Sequence, residues 1–379
     1  MRVALVHDYL AQDGGAERVL KALHEIWPEA PIFVLFHDRE KINYIPTENI
    51  TESFLSKLPL HNQAYQWYLP WMPLATENHN LKNFDVVIST ASMFAKGVIT
   101  GPDTLHISYC HTPPRFLWAD NFAYISDLKQ NPLIKFILPH FIHRLRMWDK
   151  MSVDRVDNFI ANSRTVQQRI NKYYRRESEV IYPPVELGSC SLQKTSDYYA
   201  AGGRLVGYKR FDLIVQAFNR LKWPLKIFGT GPEFGVLRKM AKNNIEFLGQ
   251  ISDETKGQVL SGARAFIHPQ LEDFGITAVE AMACGRPVIA FAGGGATETV
   301  LPNETGVFFT KQTWESLLDK LLHFNYENWD SGHIRNHANK FGSAIFKNNI
   351  KKHIEDRYEE FKSGFNQQAL ISFYAKDRC

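Results

Sequence analysis

The chain has 379 residues, of which 44% are hydrophobic and 22% are charged, the composition of an ordinary globular protein. This length exceeds what one hydrophobic core usually serves, so two domains of roughly 170 to 190 residues are expected. The formal net charge of +4 is too small to indicate a dedicated nucleic-acid-binding protein, and we find no apolar run of the ~18 residues that a membrane-spanning helix needs.

Short β-rich runs alternate with segments of helical periodicity along the first half of the chain. They lie at residues 3–6, 32–36, 86–88, 106–109 and 159–161. A second series follows at residues 226–228, 245–248, 265–267, 288–291 and 307–309. This alternation predicts an α/β protein with a parallel sheet and helical crossovers in each half.

The pattern is interrupted at Tyr182-Pro183-Pro184-Val185, where consecutive prolines disfavour helix and fix the backbone. We place the interdomain linker there, which gives domains at residues 1–183 and 184–344. Residues 345–361 have helical spacing and many charges, as in an exposed helix with intrahelical ion pairs. The four cysteines have no metal-ligand spacing, and no secretory signal precedes the first strand, so a reducing cytosol is expected.

Ligands of open parallel sheets bind beyond the carboxyl ends of the strands, so the residues after each strand are the first candidates for chemistry. Gly14 and Gly15 follow the first strand and open a helix. A tight strand-to-helix turn is the simplest interpretation. The pair matches neither the glycine fingerprint of dinucleotide enzymes nor the phosphate-binding loop that ends in Gly-Lys-Ser/Thr.

His111 follows the strand at residues 106–109 and precedes Pro113 and Pro114, which stiffen the loop. A histidine held in this way can contact a ligand, although a structural hydrogen-bonding role is the more common one for a histidine.

The second half places basic residues at a predicted strand-to-helix turn. Arg204 and Lys209 follow Gly202-Gly203, and their cations could reach a phosphate; a solvated basic loop is the alternative. Gly231 lies in a second turn, Gly229-Thr230-Gly231, and residues 293–295 form a run of three glycines. Such loops suit the close approach of a ligand, and they are also common surface turns.

The most informative segment lies between Glu272 and Glu280. A helix opening near Gly275 and ending at Gly285 would be apolar nearly all round, which is typical of a buried helix, yet it contains Glu280. A buried carboxylate needs a partner, so Glu280 either faces a polar cleft with hydroxyls and cations or makes an internal salt bridge. The turn before the helix, which includes Phe274 and Ile276, offers uncovered backbone N–H groups to an anion.

The run from His268 through Glu272, Glu280 and Val288 resembles the paired-glutamate signature of retaining, nucleotide-sugar-dependent glycosyltransferases of family 4. That resemblance implies the GT-B fold, with two facing Rossmann-like domains, an active site in the cleft between them, and a C-terminal helix at residues 345–379 that crosses back to the first domain. It also implies acceptor binding by residues 1–183 and donor binding by residues 184–344.

The resemblance assigns roles to the candidate residues. Arg204 and Lys209 would hold the donor diphosphate with the helix start at Phe274, Gly275 and Ile276. Glu272 would bind hydroxyls of the donor sugar, and Glu280 would bind the ribose. The remaining candidate positions, which are carried over in the same way, are Gly14 and Gly15 near the diphosphate and acceptor, and Gly231 near the nucleotide base. Arg210 stands where many relatives have glycine, and we favour Lys209 over it.

The segment around His111 resembles the His-Thr-Pro-x-Arg-x-Leu-Trp stretch of bacterial mannosyltransferases, which implies that His111 orients a mannose supplied by GDP-mannose. No cofactor is expected beyond this donor substrate. The resemblance implies no metal site, and the sequence has no Asp-x-Asp triplet.

The acceptor implied is a saccharide or a polyprenyl-linked saccharide, as in polysaccharide or lipopolysaccharide biosynthesis. Residues 134–148 mix aromatic, aliphatic and basic residues, as in an interfacial helix. A core helix with snorkelling cations is an equal alternative. Because many members of the resembled family extend lipid-linked saccharides, the resemblance implies a cytoplasmic protein with a peripheral contact at the inner face of the plasma membrane. Other classes remain open: a noncatalytic nucleotide-sugar-binding protein, a nucleotide-sugar epimerase and a phosphorylase-like enzyme.

Overall fold

The computed structural model describes residues 1–59, 65–119, 132–188, 190 and 192–376. The chain divides into two units, one of Met1–Ile181 with Phe346–Cys379 and one of Tyr182–Ile345. Tyr182, where the predicted linker starts, is the first residue of the second unit.

The first unit contains a seven-stranded sheet in the order β3-β2-β1-β4-β5-β6-β7. All of its pairings are parallel. The strands are β1 Val3–His7, β2 Ile32–Val34, β3 Ile50–Glu52, β4 Val86–Ala91, β5 Leu105–Cys110, β6 Asn158–Ala161 and β7 Ser178–Val180. Every residue of β1, β4 and β5 is buried, as expected of central strands covered on both faces.

The second unit contains a six-stranded sheet in the order β10-β9-β8-β11-β12-β13, again parallel throughout. Its strands are β8 Tyr199–Gly202, β9 Leu225–Phe228, β10 Ile245–Gly249, β11 Phe266–His268, β12 Val288–Phe291 and β13 Gly306–Phe309. The predicted α/β architecture with two parallel sheets is therefore confirmed.

Helices connect the strands and cover the sheets. In the described ranges they are α1 Gly15–Ile26, α2 Met72–Glu77, α3 Pro132–Ser152, α4 Arg164–Arg169, α5 Phe211–Leu221, α6 Phe234–Met240, α7 Asp253–Gly262, α8 Ile276–Ala283, α9 Ala296–Thr299, α10 Trp314–Leu322, α11 Ser331–Ala338 and α12 Ser343–Lys376. No helix in the part of the chain that the structure describes has the length and apolarity needed to cross a membrane.

The C-terminal helix α12 starts in the second unit and belongs to the first from Phe346 onward. Phe346, Ile350 and Ile354 are buried in the same core as strands β1, β4 and β5. Their spacing of four residues places them on one face of the helix, which explains how a helix of low overall hydrophobicity packs on this unit.

Cys190 and Cys284 form a disulfide, which differs from the reduced cysteines expected from the sequence. Cys284 lies directly after α8, so the bond joins the end of that helix to the segment after the linker. Cys110 is buried and takes no part in this disulfide.

Candidate active site

Strand β11 and helix α8 are joined by the loop that carries Glu272. Gly275 precedes the helix with φ = 89°, a left-handed conformation that favours glycine. A Cβ atom at Gly275 would lie 3.2 Å from His268 Nε2, so a side chain there would require the His268 ring to shift. Among the first-turn N–H groups of α8, that of Ala278 donates to Gly275 O at 3.0 Å. The expectation that this helix start binds an anion stays a prediction.

Lys209 and Glu272 are brought together at this loop. Lys209 ends a short 3-10 helix, Gly207–Lys209, that follows β8. Its Nζ lies 2.7 Å from Glu272 Oε1, and the two side chains are 15% and 19% exposed. Lys209 Nζ would also lie 3.3 Å from a Cβ atom on Gly203. The Lys209 ammonium therefore lies beside the Glu272 carboxylate and close to Gly203, which has no side chain to obstruct it.

The other two cations of this turn are placed differently. Arg204 is exposed, and its carbonyl accepts from Val206 N–H at 3.0 Å. Arg210 has φ = 55°, and its guanidinium forms an ion pair with Asp212 at 3.1 Å. The structure thus directs Lys209, and not Arg210, toward Glu272.

Glu280 is buried on α8 with 6% exposure. Its Oε1 accepts from Lys256 Nζ at 2.9 Å, and Lys256 also lies 2.7 Å from Asp253 Oδ1. The internal salt bridge that the sequence left open as an alternative is therefore present.

The side chains of Phe274 and Ile276 pack into the core of the second unit. The Phe274 side chain is 3% exposed, and its ring packs against Tyr182 and Phe341 at centroid distances of 5.5 and 5.7 Å. Ile276 is half-buried against the same core. Packing of these side chains fixes the start of α8.

Several glycines in this unit allow backbones to approach closely. A Cβ atom at Gly231 would lie 2.3 Å from Leu205 O, and one at Gly294 would lie 2.2 Å from Glu272 O. Gly295 N–H donates to Glu272 O at 2.9 Å. The glycine run at residues 293–295 thus supports the loop that holds Glu272.

His268 ends β11 and has no exposed surface. Its Nε2 lies 4.0 Å from Glu272 Oε2. Among the residues described, neither ring nitrogen has a hydrogen-bond partner. Burial lowers the pKa of His268, and the nearby Lys209 lowers it further while Glu272 opposes the shift.

In the first unit, Gly14 and Gly15 precede and begin α1. Glu17 Oε2 accepts from Gly14 N–H at 2.9 Å, so the carboxylate caps the start of the helix. Glu17 Oε1 lies 3.7 Å from His7 Nε2, and His7 Nδ1 hydrogen-bonds Thr90 Oγ1. This buried network fixes the glycine pair at the carboxyl end of β1.

His111 directly follows β5, at the same edge of the first sheet. It is 9% exposed, and its N–H donates to Ala91 O at 2.9 Å. Its Nε2 has no hydrogen-bond partner within the described ranges. Burial, with a further contribution from His7, lowers the pKa of His111 to about 3, so the imidazole is neutral at pH 7.

Lys256, His268, His7 and Glu17 were not predicted as site residues. Lys256 gains its significance from contacts made in the folded chain and belongs to no spaced motif. His268 opens the run that resembles the paired-glutamate signature, but that resemblance assigned no role to it. Glu17 had a local signal, because a Glu three residues after a helix N-cap is part of a capping box. No group of three His, Cys, Asp or Glu residues suited to a metal ion occurs in the portion of the chain described.

Comparison with known proteins yields two matching family models. One, described as Glycosyltransferase Family 4, matches residues 13–189. The other, described as Glycosyl transferases group 1, matches residues 191–342. Together they cover most of both units and leave residues 343–379 outside the match.

Curated relatives match parts of the chain. An uncharacterized glycosyltransferase of Methanocaldococcus jannaschii, MJ1178, is 27% identical over 182 residues, which cover 47% of this chain and 52% of that protein. A GDP-mannose-dependent monoacylated alpha-(1-6)-phosphatidylinositol monomannoside mannosyltransferase of Corynebacterium glutamicum is 34% identical over 144 residues, which cover 34% of this chain and 38% of that protein. The chain thus spans about half or less of the length of these curated relatives.

Among solved structures, Alr3699/HepE of Anabaena, determined in complex with UDP, has a TM-score of 0.67 and 16% identity. The similarity covers 94% of this chain and 100% of that chain. At this identity it demonstrates a shared fold.

Proposed function

The chain belongs to the family 4 glycosyltransferases of the GT-B fold, and from this premise we propose that it transfers a hexose from a nucleoside diphosphate sugar to a hydroxyl group of a saccharide acceptor. The observation that carries the proposal is the pair formed by Lys209 and Glu272 in front of helix α8. This pair places a cation and a carboxylate beside the start of α8, where a Cβ atom on Gly275 would lie 3.9 Å from Glu272 Oε2.

The donor in this proposal is GDP-mannose. The Corynebacterium glutamicum relative is named for that donor, and the resemblance of the His111 segment supports the same sugar. Glu272 binds hydroxyls of the mannose, Glu280 binds the ribose, and Lys209, Arg204 and the start of α8 bind the diphosphate.

The charge that develops on the departing diphosphate determines how these groups act. As the bond between the sugar C1 and the phosphate oxygen breaks, Lys209 and the N–H groups of Gly275 and Ile276 stabilise the negative charge. One donor of this kind contributes roughly 3 kcal/mol, or about a hundredfold in rate. These groups allow the proposed reaction to proceed without a metal ion.

The proposed reaction retains the anomeric configuration. The acceptor oxygen forms its bond to C1 on the face that the diphosphate leaves, and a phosphate oxygen takes the acceptor proton. The products are the new glycoside and the nucleoside diphosphate. In this proposal, neutral His111 forms a hydrogen bond with the transferred sugar through Nε2, which has no hydrogen-bond partner among the described residues.

A peripheral membrane contact is part of the proposal for the acceptor. On α3, Met147 and Met151 are 48% and 67% exposed, and Arg144 is exposed on the same helix. Trp67 and Trp71 of this unit are 74% and 56% exposed. Exposed aromatic and thioether side chains beside cations suit an anionic lipid surface. The side chains of residues 134–137 lie outside the described part of the chain.

A ligand panel followed by a product assay tests the function. GDP, UDP and ADP are compared by thermal shift, since a ligand at ~100 times its Kd stabilises by about 2.7 kcal/mol. GDP-mannose with saccharide acceptors and EDTA should then give an α-linked product, seen by NMR. Stabilisation by GDP without turnover of GDP-mannose would identify a binding protein instead of an enzyme.

Vesicle flotation tests the membrane contact separately. The protein should float with anionic vesicles at low salt, and a variant with Trp67→Ser and Trp71→Ser should float less. If the wild-type protein does not float, the proposed membrane contact is wrong. The proposed transfer reaction does not depend on this result.

A further inference from the structure

The buried imidazole of His268 forms no hydrogen bond to another described residue. It ends strand β11 and has no exposed surface. A neutral imidazole always carries one N–H, and a buried N–H without an acceptor is unfavourable. Native structures rarely contain such a group without a functional reason.

The ring is directed at the loop that holds Glu272. The atoms nearest to a Cβ built on Gly275 are His268 Nε2 and Cε1, at 3.2 and 3.3 Å, so this edge of the ring faces the turn before α8. Glu272 Oε2 lies 4.0 Å from Nε2. A movement of about 1 Å would bring these two atoms to hydrogen-bond distance.

Glu272 has two oxygens with different neighbours. Its Oε1 contacts Lys209 at 2.7 Å, whereas its Oε2 is the oxygen that faces His268. In the proposed function Lys209 binds the donor diphosphate, and its ammonium is then drawn toward the phosphate oxygens. The carboxylate loses part of its contact with the cation at the moment when it must bind the sugar.

We propose that His268 is the positioning residue of Glu272: when the donor binds, His268 Nε2–H donates to Glu272 Oε2 and holds the carboxylate against the hydroxyls of the transferred sugar. This inference rests on the proposed function. His268 itself touches no substrate, because it lies beneath Gly275 and Glu272.

Loss of the His268 hydrogen bond should affect only the affinity contributed by the sugar half of the donor. The nucleotide half is held by other groups, so the loss of the His268 hydrogen bond should weaken binding of the nucleotide sugar and leave binding of the free nucleotide unchanged. A purely structural role for His268 would weaken both ligands together.

Three variants separate these cases. His268→Phe keeps a planar ring and removes the donor. His268→Gln places an amide nitrogen close to the position of Nε2, whereas His268→Asn places one close to Nδ1. Binding of GDP and of GDP-mannose is measured by calorimetry for each variant and the wild type, with UDP and UDP-glucose as a parallel pair, together with kcat and KM.

We expect His268→Phe and His268→Asn to bind GDP-mannose roughly tenfold more weakly with unchanged GDP affinity, and His268→Gln to recover most of the loss. Equal weakening of both ligands, or no weakening, overturns the inference. If His268→Phe does not fold, the test is the comparison of His268→Gln with His268→Asn. Equal affinities of these two variants for GDP-mannose would overturn the inference. Wild-type protein that binds neither nucleotide pair would instead contradict the proposed function.

Discussion

Lys256 Nζ lies 2.9 Å from Glu280 Oε1 and 2.7 Å from Asp253 Oδ1, so one ammonium group connects helix α7 to the buried acid of helix α8. The Lys256 and Glu280 side chains are only 14% and 8% exposed. Breaking such a pair leaves a poorly solvated charge, which costs more than the pair contributes when intact.

The first prediction concerns this pair. Lys256→Met should destabilise the second unit by about 3 kcal/mol, because the Glu280 carboxylate loses its counter-charge. The double variant Lys256→Met with Glu280→Gln should recover most of that loss, since no buried charge remains. Urea unfolding of the wild type, both single variants and the double variant measures the coupling, and additive effects would contradict it.

The second prediction concerns Lys209. Lys209→Ala should lower kcat by roughly a hundredfold, because the leaving diphosphate loses one preorganised cation. Arg210→Ala is the matched control: Arg210 is paired with Asp212, so its removal should change kcat by no more than about threefold. Comparable losses in the two variants would show that Lys209 has no special role.

Local patterns predicted the elements around this site well. Gly275 and Gly285 predict the limits of a helix, and both have positive φ, 89° and 73°, on either side of α8. Runs of β-branched and aromatic residues predicted strands such as β1, β4 and β12. In these places the local preference of the sequence agrees with the tertiary structure.

Strand β8 was missed because its sequence, Tyr-Ala-Ala-Gly, has little preference for strand. It is a strand because β9 and β11 pair with it on both sides. The partner of Glu280 was missed for a similar reason. Lys256 is 24 residues from Glu280, and no spacing rule connects positions that far apart in sequence.

The third prediction concerns the glycine loop behind Glu272. A Cβ atom at Gly295 would lie 2.3 Å from Phe274 Cα and 2.5 Å from Asp273 O. Because these are backbone atoms, Gly295→Ala should displace the loop, reduce transfer activity at least tenfold and destabilise the second unit by about 2 kcal/mol.

Gly235→Ala is the control for this change. Gly235 lies in α6, and a Cβ atom there would meet nothing within 4 Å. Alanine is the better helix former, so this variant should be more stable by about 0.5–1 kcal/mol with unchanged activity. Unchanged activity in Gly295→Ala as well would show that the loop tolerates displacement.

The last prediction concerns acid stability. His106 has no exposed surface, its Nε2 lies 2.9 Å from Ser89 Oγ, and its Nδ1 lies 2.9 Å from Arg155 O. Burial lowers the pKa of His106 from 6.5 to about 4. Between these two values the unfolded chain binds a proton that the folded chain excludes, so the free energy of unfolding falls as the pH falls through 6.5.

The contribution of His106 to the free energy of unfolding should therefore be fully present above pH 6.5 and lower by about 2–3 kcal/mol at pH 4.5. His106→Gln keeps hydrogen-bonding atoms and removes the titration, so its unfolding free energy should decline less steeply over the same range. Urea unfolding of wild type and variant at pH 7.5, 6 and 4.5 isolates the difference. Parallel declines in the two proteins would assign the acid sensitivity to other groups, such as His79, whose pKa burial also lowers to about 4.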